Sequence, residues 1–314
     1  MKKVLITGGT GFIGNKLTRL LQLKGYKVIL LSRHKPKDPK LLHIKADLSK
    51  EIPYDPLLEG LYGVIHLAGK NIIGRWTSSF KKGIYDSRIK GTQNLVDAFQ
   101  KVKKKPKVFI SASAIGYYGD RKNDLLTEND EPGKDFLAHV CADWEKESAK
   151  TIPMGMRWAA VRTALVIGSH GGIVQTLKPL FKWFAGGPLG SGKQYFPWVH
   201  INDLTRAYLF ILETRIDGPI NVCAPEKITN EEFSAALAKK LHRPSWLRTR
   251  KWMLRIIFGD FTNAIMASQR VSSKKLESAD FVFEYPTIEK PFTEGPGLAI
   301  NNNVANPMDS RTPT

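Results

Sequence analysis

The sequence has few of the features that define several large classes of protein. Two cysteines occur among 314 residues, Cys141 and Cys223, and they form no Cys-x-x-Cys pair. A disulfide scaffold or a zinc site is therefore not expected, and a reducing cytoplasm is the expected location. No uninterrupted apolar run approaches the roughly 20 residues of a membrane-spanning helix, so we expect no membrane partner. The first residues predict a buried strand rather than a signal peptide.

Acidic residues are also scarce. The chain has 29 Asp and Glu against 48 Lys and Arg, which gives a formal net charge of +19. Such a charge favours nucleic acid, an acidic surface or anionic small molecules as partners. The densest basic run, residues 101–107, has no interleaved aromatic residues, so we expect no nucleic-acid partner. An anionic small-molecule substrate is the preferred partner.

Short apolar runs alternate with amphipathic segments through the first half of the chain. Strands that alternate with helices are typical of a parallel sheet covered on both faces. The sequence therefore predicts an α/β fold with a doubly wound parallel sheet. Strands are predicted at 3–7, 27–32, 41–48, 62–69, 107–114 and 158–168, and helices at 12–25, 86–102 and 136–150.

The first strand runs through a glycine-rich turn directly into the first helix. The turn reads Thr-Gly-Gly-Thr-Gly-Phe-Ile-Gly over residues 7–14 and contains Gly-x-Gly-x-x-Gly. Glycines let the backbone approach a pyrophosphate, toward which the helix directs free N–H groups. This strand–turn–helix context predicts a Rossmann dinucleotide site. Its predicted contacts are Gly8, Thr10, Gly11, Phe12, Ile13 and Gly14.

The end of the second strand indicates which dinucleotide is preferred. A protein that prefers NAD places a carboxylate there to hold the ribose 2′-hydroxyl. Here Ser32 and Arg33 occupy the position, followed by His34 and Lys35. Because an arginine pairs with a 2′-phosphate that a carboxylate would repel, we predict NADP(H) as the cofactor.

The regular alternation loosens after about residue 170, where loops rich in Gly, Pro and aromatic residues separate helices at 201–213 and 229–241. We expect a Rossmann domain at 1–170, to which about 200–225 returns. A smaller substrate lobe is expected at 171–290, with a C-terminal module at 240–290. Residues 291–314 are rich in Asn, Pro and Gly, and we expect an unpacked tail there.

Several motifs resemble landmarks of the extended short-chain dehydrogenase/reductase superfamily, in the order in which they occur there. These are the glycine turn, "ADL" at 46–48, "HLAG" at 66–69 and "FISASA" at 109–114. More specific pieces resemble its atypical epimerase family, described as sugar nucleotide epimerase-like. They include "SASAIGYYG" at 111–119 and "GSGKQYFPWVHINDL" at 190–204. Residues 266–286 resemble the small C-terminal module of the same group.

The resemblance covers residues 1 to about 290 and implies further cofactor contacts. Asp47 and Leu48 are expected beside adenine, residues 66–69 along the cofactor, and Ser111 near the nicotinamide. Basic side chains near the strand ends are expected to face phosphate, nicotinamide or an anionic substrate. The further cofactor contacts are His66, Leu67, Ala68, Gly69, Lys82, Arg88 and Arg162, and Arg75 and Lys193 are expected to add positive charge to the cleft.

The usual catalytic pair of the superfamily is absent. Its tyrosine exchanges a proton with the substrate, and a lysine four residues later lowers the pKa of that tyrosine. At this spacing the third helix has Cys141 and Glu145, a poor proton donor and a charge of the wrong sign. Ser113 matches the serine that orients the substrate oxygen. Tyr117 and Tyr118 are candidate proton donors.

Three interpretations of the function remain open. The protein is an NADPH-dependent oxidoreductase or epimerase for a small carbonyl or sugar-nucleotide-like substrate, with another acid or base. His139, Cys141 and Glu145 are further candidates for that group. Alternatively, the protein binds NADPH without turnover, as a sensor or scaffold. In the third interpretation, the basic surface binds a macromolecule and the nucleotide is structural.

Overall fold

The computed structural model describes residues 1–36, 38–168, 171–184 and 186–293. Its strands are β1 Lys3–Thr7, β2 Lys27–Ser32, β3 Leu42–Lys45, β4 Gly63–His66, β5 Val108–Ala114, β6 Leu125–Leu126, β7 Arg157–Thr163, β8 Leu165–Gly168, β9 Trp198–His200, β10 Gly218–Val222 and β11 Arg270–Val271. Its α-helices are α1 Phe12–Leu23, α2 Ser78–Gln100, α3 Phe136–Ala149, α4 Gly172–Lys182, α5 Ile201–Glu213, α6 Asn230–Leu241, α7 Lys251–Phe258, α8 Phe261–Met266, α9 Lys274–Glu277 and α10 Lys290–Thr293. Of the expected tail, residues 294–314 lie outside the described residues.

Seven parallel strands form the central sheet, in the order β10-β7-β5-β4-β1-β2-β3. The chain moves from β1 outward to β2 and β3 on one side, then crosses to β4 and continues outward on the other. Thr7, the last residue of β1, pairs in register with Leu31 of β2 and His66 of β4. The reversal of direction between β1 and β4 is the point at which open α/β sheets leave a crevice for ligands.

Alternate residues of the central strands enter two different cores. Val4 and Ile6 of β1 pack with Leu17 of α1 in one core. Leu5 packs with Phe99 of α2 in the core on the opposite face. Both faces of the sheet are therefore covered by helices, which confirms the doubly wound fold predicted from the apolar strands. Among the described residues, no helix combines the length and apolar character that crossing a membrane requires.

The second helix begins well before the predicted Asp86. Thr77 precedes its first residue, Ser78, and the Thr77 hydroxyl accepts a hydrogen bond from the Phe80 N–H at 3.2 Å. Ile84 in the second turn is fully buried. A side-chain cap and burial thus stabilise the start of a helix that Gly83 and several charges hide in the sequence.

The predicted strand at 158–168 is two strands that belong to different sheets. β7 ends at Thr163, and the Ala164 N–H still bonds the Val222 carbonyl of β10 at 3.1 Å. The next N–H, that of Leu165, bonds the Pro197 carbonyl at 3.2 Å, and β8 pairs with β9. Both halves are apolar, so the sequence pattern does not show that the partner strand changes.

A buried carboxylate attaches the C-terminal segment to α5. Asp203 is fully buried and accepts the backbone N–H groups of Glu284 and Tyr285, each at 2.8 Å. The Arg206 guanidinium pairs with the same carboxylate at 3.0 Å. Burial raises the pKa of Asp203, whereas the two N–H groups favour its charged form.

Replacing Asp203 with Ala should therefore destabilise the protein. The substitution leaves two backbone N–H groups buried without an acceptor, and we expect the free energy of unfolding to fall by about 3 kcal/mol. Denaturant titration followed by circular dichroism measures the loss. Asp203→Asn keeps one acceptor oxygen and should lose less. Equal stability of Asp203→Ala and the wild type would show that the C-terminal segment is held by other contacts.

Candidate functional site

The glycine turn lies at the carboxyl end of β1 and leaves no room for side chains. Gly8 has φ +70°, and a Cβ there would lie 2.9 Å from the backbone N of Ala68. A Cβ at Gly14 would lie 2.2 Å from the Gly8 carbonyl oxygen. The Gly11 N–H donates to that same oxygen at 3.0 Å. The turn therefore packs tightly against both the loop after β4 and the first turn of α1.

The first turn of α1 offers backbone donors to an anion. Gly11 is its N-cap, and no side chain caps the helix among the described residues. The first turn carries no acidic residue either. Free N–H groups and the positive end of the helix dipole therefore face the space above the turn. Thr10 is exposed there, and the ring of Phe12 packs on Gly171 of the loop before α4.

A chain of hydrogen bonds joins β1, β4 and α2 beneath this space. His66 Nδ1 lies 2.6 Å from the Thr7 hydroxyl, and its Nε2 lies 2.9 Å from the Thr92 hydroxyl. The Thr92 hydroxyl donates to the Arg88 carbonyl and the Ala68 N–H donates to Thr7, so the proton of a neutral His66 belongs on Nε2. Burial, and then the charge of Arg88, lowers the pKa of His66 to about 3. His66 is therefore a neutral link that fixes the loop at 67–69.

The end of β2 presents a cation and no carboxylate. Arg33 is exposed immediately after the last strand residue, Ser32. The Ser32 hydroxyl donates to the His34 carbonyl at 2.8 Å, which holds the turn. Asp47 accepts the Ser49 N–H at 3.0 Å, and this bond, with a smaller effect of Arg33, lowers the pKa of Asp47. The next residue, Leu48, packs against α2, where a Cβ at Gly91 would lie 3.6 Å from the Cβ of Leu48.

The guanidinium of Arg88 lies directly against the loop at 67–69. A Cβ at Gly69 would lie 3.1 Å from the Arg88 Cζ. The guanidinium donates to the Lys70 carbonyl at 3.0 Å and lies 5.1 Å from the centroid of the Trp144 ring. Burial lowers its pKa. Among the described residues no carboxylate forms an ion pair with Arg88. Its guanidinium can therefore donate hydrogen bonds to an anion or a carbonyl group of a ligand.

Two residues predicted to contact the cofactor bond to other groups of the protein. The side chain of Lys82 is 69% exposed on α2, and its ammonium pairs with Asp86 at 2.6 Å. Ser111 is fully buried, and its hydroxyl donates to the Ala112 carbonyl at 3.0 Å. The contact of each side chain with the cofactor stays a prediction.

A buried ion pair occupies the place of the usual catalytic dyad. The Arg162 Nε and Nη2 atoms donate to the two carboxylate oxygens of Glu145 at 2.9 and 2.8 Å. The Ser113 hydroxyl donates to the same carboxylate at 2.6 Å. The side chains of Arg162 and Glu145 are 2% and 8% exposed. Burial by itself would lower the pKa of Arg162, but the hydrogen bonds and the charge of Glu145 outweigh it and raise that pKa.

The ion pair extends to the far edge of the sheet through Tyr118. Arg162 Nη1 donates to the Tyr118 hydroxyl at 2.9 Å, and that hydroxyl donates to Asn221 Oδ1 of β10 at 2.7 Å. Tyr118 is fully buried, and burial raises its pKa. Glu145, Tyr118 and the Glu128 carbonyl take up the guanidinium of Arg162, and its contact with the cofactor stays a prediction. Ser113 and Tyr118, predicted as catalytic, are likewise bonded within the buried network.

Of the two tyrosine candidates near the missing dyad, Tyr117 is the one that is partly exposed. Cys141 is buried, and burial raises its pKa to about 12, so its thiol stays protonated. The centroid of the Tyr117 ring lies 3.4 Å from the Arg162 Cζ. Burial is the main cause that raises the pKa of Tyr117, and Arg162 opposes it. His139 is exposed, and its Nδ1 lies 2.7 Å from the Asp135 carbonyl at the start of α3.

The C-terminal segment holds the backbone that carries Tyr117. Gln269 Nε2 donates to the carbonyls of Ile115 and Gly119, at 3.0 and 2.9 Å. β11, which follows Gln269, pairs in parallel with β6. Nothing in the sequence around Gln269 marks it as a site residue. Glu145, in the position of the usual lysine, is the sequence signal for the buried cation that pairs with it, Arg162.

The glycine turn, the uncapped helix and the adjoining loops at the switch point define a dinucleotide-binding protein of the Rossmann type. The family described as NAD dependent epimerase/dehydratase matches residues 4–223, and a domain of unknown function (DUF1731) matches residues 251–293. The chain belongs to the NAD dependent epimerase/dehydratase family. This confirms the resemblance seen in the motifs and in the C-terminal module.

Relatives of this family match almost the whole chain. An epimerase family protein of Staphylococcus haemolyticus is 34% identical over 298 residues, which are 94% of this chain and 99% of the relative. The crystal structure of the human epimerase family protein SDR39U1 (isoform 2) with NADPH has 29% identity and a TM-score of 0.81, covering 92% of this chain and 97% of that one. A nucleoside-diphosphate sugar epimerase from Corynebacterium glutamicum has 34% identity and a TM-score of 0.75, covering 93% of this chain and 57% of that one.

Replacing Glu145 with Gln should test the buried ion pair. The amide cannot neutralise Arg162, which would remain charged in the interior, and we expect a loss of about 3 kcal/mol in the free energy of unfolding. Thermal and denaturant unfolding measure the loss. A double variant, Glu145→Gln with Arg162→Met, removes the unpaired charge and should be more stable than Glu145→Gln alone. If the double variant were less stable, the pair would not be the dominant interaction.

Proposed function

We propose that the protein binds NADPH across the carboxyl ends of β1, β2 and β4. We further propose that it is an oxidoreductase or epimerase acting on a small carbonyl or sugar-nucleotide-like substrate. The observation that carries the first part is the glycine turn, where a Cβ at Gly8 or Gly14 would meet backbone within 2.9 Å. Such a turn leaves the backbone open to a pyrophosphate.

The residues around the turn fit NADPH better than NADH. Arg33 supplies a guanidinium at the end of β2, where a carboxylate would hold the ribose of NAD. Arg88 supplies a second, partly buried cation beside Gly69 and has no carboxylate partner among the described residues. The human relative whose structure was determined with NADPH supports the same cofactor for this chain.

Tyr117 is the proposed proton donor. Bound NADPH supplies a hydride, so reduction of a carbonyl also requires a proton for its oxygen. Burial raises the pKa of the Tyr117 hydroxyl and keeps it protonated, as a donor must be. The Arg162 guanidinium over the ring stabilises the phenolate that forms when the proton leaves. Arg162 thus supplies from β7 the positive charge that a lysine on α3 supplies in the usual dyad.

Ser113 and Glu145 act as positioning residues in this proposal. Glu145 binds Arg162 through both carboxylate oxygens, and this pairing fixes the plane of the guanidinium against the Tyr117 ring. The Ser113 hydroxyl hydrogen points to Glu145 and is therefore not offered to a substrate oxygen. This assignment changes the role expected for Ser113 from polarising the substrate to orienting the ion pair.

The sealed network also favours a second candidate function. Ser113, Tyr118 and Cys141 are buried, and two of the three have their hydroxyl hydrogens engaged inside the protein. A protein with this arrangement could bind NADPH without turnover and serve as a sensor or scaffold. Oxidation of NADPH with a panel of aldehydes, ketones and quinones separates the two functions, because binding without any turnover favours the second.

Replacing Arg33 with Ala should weaken NADPH binding and leave NADH binding nearly unchanged. The lost contact with the 2′-phosphate is a charge-assisted hydrogen bond worth about 1.5–3 kcal/mol, or roughly 10- to 100-fold in Kd. Titration calorimetry with both nucleotides measures the change. Lys24→Ala, which removes one exposed charge at the end of α1, is the matched control. An equal loss for both nucleotides would refute the role of Arg33.

Replacing Tyr117 with Phe should abolish turnover without loss of cofactor. Removing a general acid costs roughly 100-fold or more in kcat, while the Kd for NADPH should not change. Tyr118→Phe is the contrasting variant, since it removes a buried hydrogen bond and should lower stability instead. If Tyr117→Phe retained the activity of the wild type, the proton donor would be a different group.

A further inference from the structure

The lobe beyond the nucleotide site has an outer face of exposed apolar side chains. Trp183 is 83% exposed, Trp246 73% and Ile256 66%. Large apolar side chains exposed to this degree in one region mark an interaction surface. The face consists of Leu180, Trp183, Phe184, Trp246, Leu247, Trp252, Met253, Ile256 and Ile257.

Contacts between neighbouring segments bring the parts of this outer face close together. The ring of Phe184, just after α4, lies 5.0 Å from the Cζ of Arg243. A Cβ at Gly187 would lie 2.3 Å from the Leu247 carbonyl oxygen. The Thr249 N–H bonds the Pro188 carbonyl at 3.0 Å. The end of α4 therefore lies beside the segment that leads directly into α7.

The orientation of α7 is the reverse of that expected for a surface helix. Leu254 is its buried residue, whereas Trp252 and Met253 are exposed, each four residues before an exposed isoleucine. At about 100° per residue, these four apolar side chains cover an arc of about 140°, and the centre of this arc lies about 130° around the helix from Leu254. The helix thus lies on the protein with its apolar side outward.

The segments that form the outer face contain basic residues and no acidic ones. Residues 242–258 contain no Asp or Glu, and neither do residues 172–184. Arg248 is paired with Glu231 of α6 at 2.6 Å. The cations of these segments are Lys178, Lys182, Arg243, Arg248, Arg250, Lys251 and Arg255.

We propose that the outer face binds the surface of a membrane that contains anionic lipids. Exposed tryptophans and isoleucines beside lysines and arginines are the combination that places a helix in the headgroup region of a bilayer. A second copy of the chain is disfavoured, since a two-fold interface would bring these cations against their own copies. The proposal replaces the expectation that a membrane is not a partner, and it concerns contact with the surface rather than insertion across it.

Sedimentation with lipid vesicles tests the proposal. We expect the full chain to sediment with phosphatidylcholine vesicles that contain about 30 mol% phosphatidylglycerol, and far less with phosphatidylcholine alone. The double variant Trp252→Glu/Ile256→Glu should bind the anionic vesicles about tenfold more weakly or worse. The matched control Leu23→Glu/Val282→Glu changes two equally exposed apolar residues outside the outer face and should bind like the wild type.

Two outcomes would overturn the proposal. One is that the wild type stays in the supernatant with anionic vesicles, or that the outer-face variant binds them as well as the wild type. The other is a dimer in analytical ultracentrifugation that the outer-face variant converts to a monomer, which would assign the face to a second copy. Unchanged circular dichroism and NADPH affinity of the variant show that it remains folded.

Discussion

The buried ion pair between Glu145 and Arg162 is the constraint on which the arrangement of the carboxyl edge of the sheet depends. Two charges that are 8% and 2% exposed persist only if each is paired and hydrogen-bonded. Ser113 and Tyr118 complete those bonds, one from each side. The pair therefore links α3, β5 and β7 and at the same time removes two hydroxyls from contact with a substrate. Because the pair engages the hydroxyls of Ser113 and Tyr118, it leaves neither of them free to bond a ligand.

The fold and the nucleotide site could be predicted from the sequence because their signals are local. The glycine turn, the apolar strands and the absence of a carboxylate after Ser32 are all read within a few residues. The network around Arg162 could not be predicted, since it joins Tyr118 to Asn221 across 103 positions. Gln269 was missed for the same reason, because its two acceptors are more than 140 residues away. Long-range hydrogen bonds of this kind leave no periodic pattern in the sequence.

The charge of the chain is distributed so that its interior is close to neutral. His66 is uncharged, with a pKa of about 3, and Cys141 keeps its proton, with a pKa of about 12. Arg162 is balanced by Glu145. The formal charge of +19 therefore resides mainly near the surface, where water and anions can solvate it. Arg88 is a partly buried cation beside Gly69 that makes the crevice itself attractive to anions.

In the proposed site, the positive charge beside the proton-donating tyrosine comes from a strand rather than from a helix, which changes what holds that tyrosine in place. A lysine one turn away from a tyrosine shares its helix, so the distance between them is set by helix geometry. Tyr117 instead lies in the segment after β5 and Arg162 on β7, and their separation depends on how that segment is held. Gln269 bonds the Ile115 and Gly119 carbonyls on either side of Tyr117. The C-terminal module thus fixes the backbone on either side of Tyr117, which the proposed proton transfer requires.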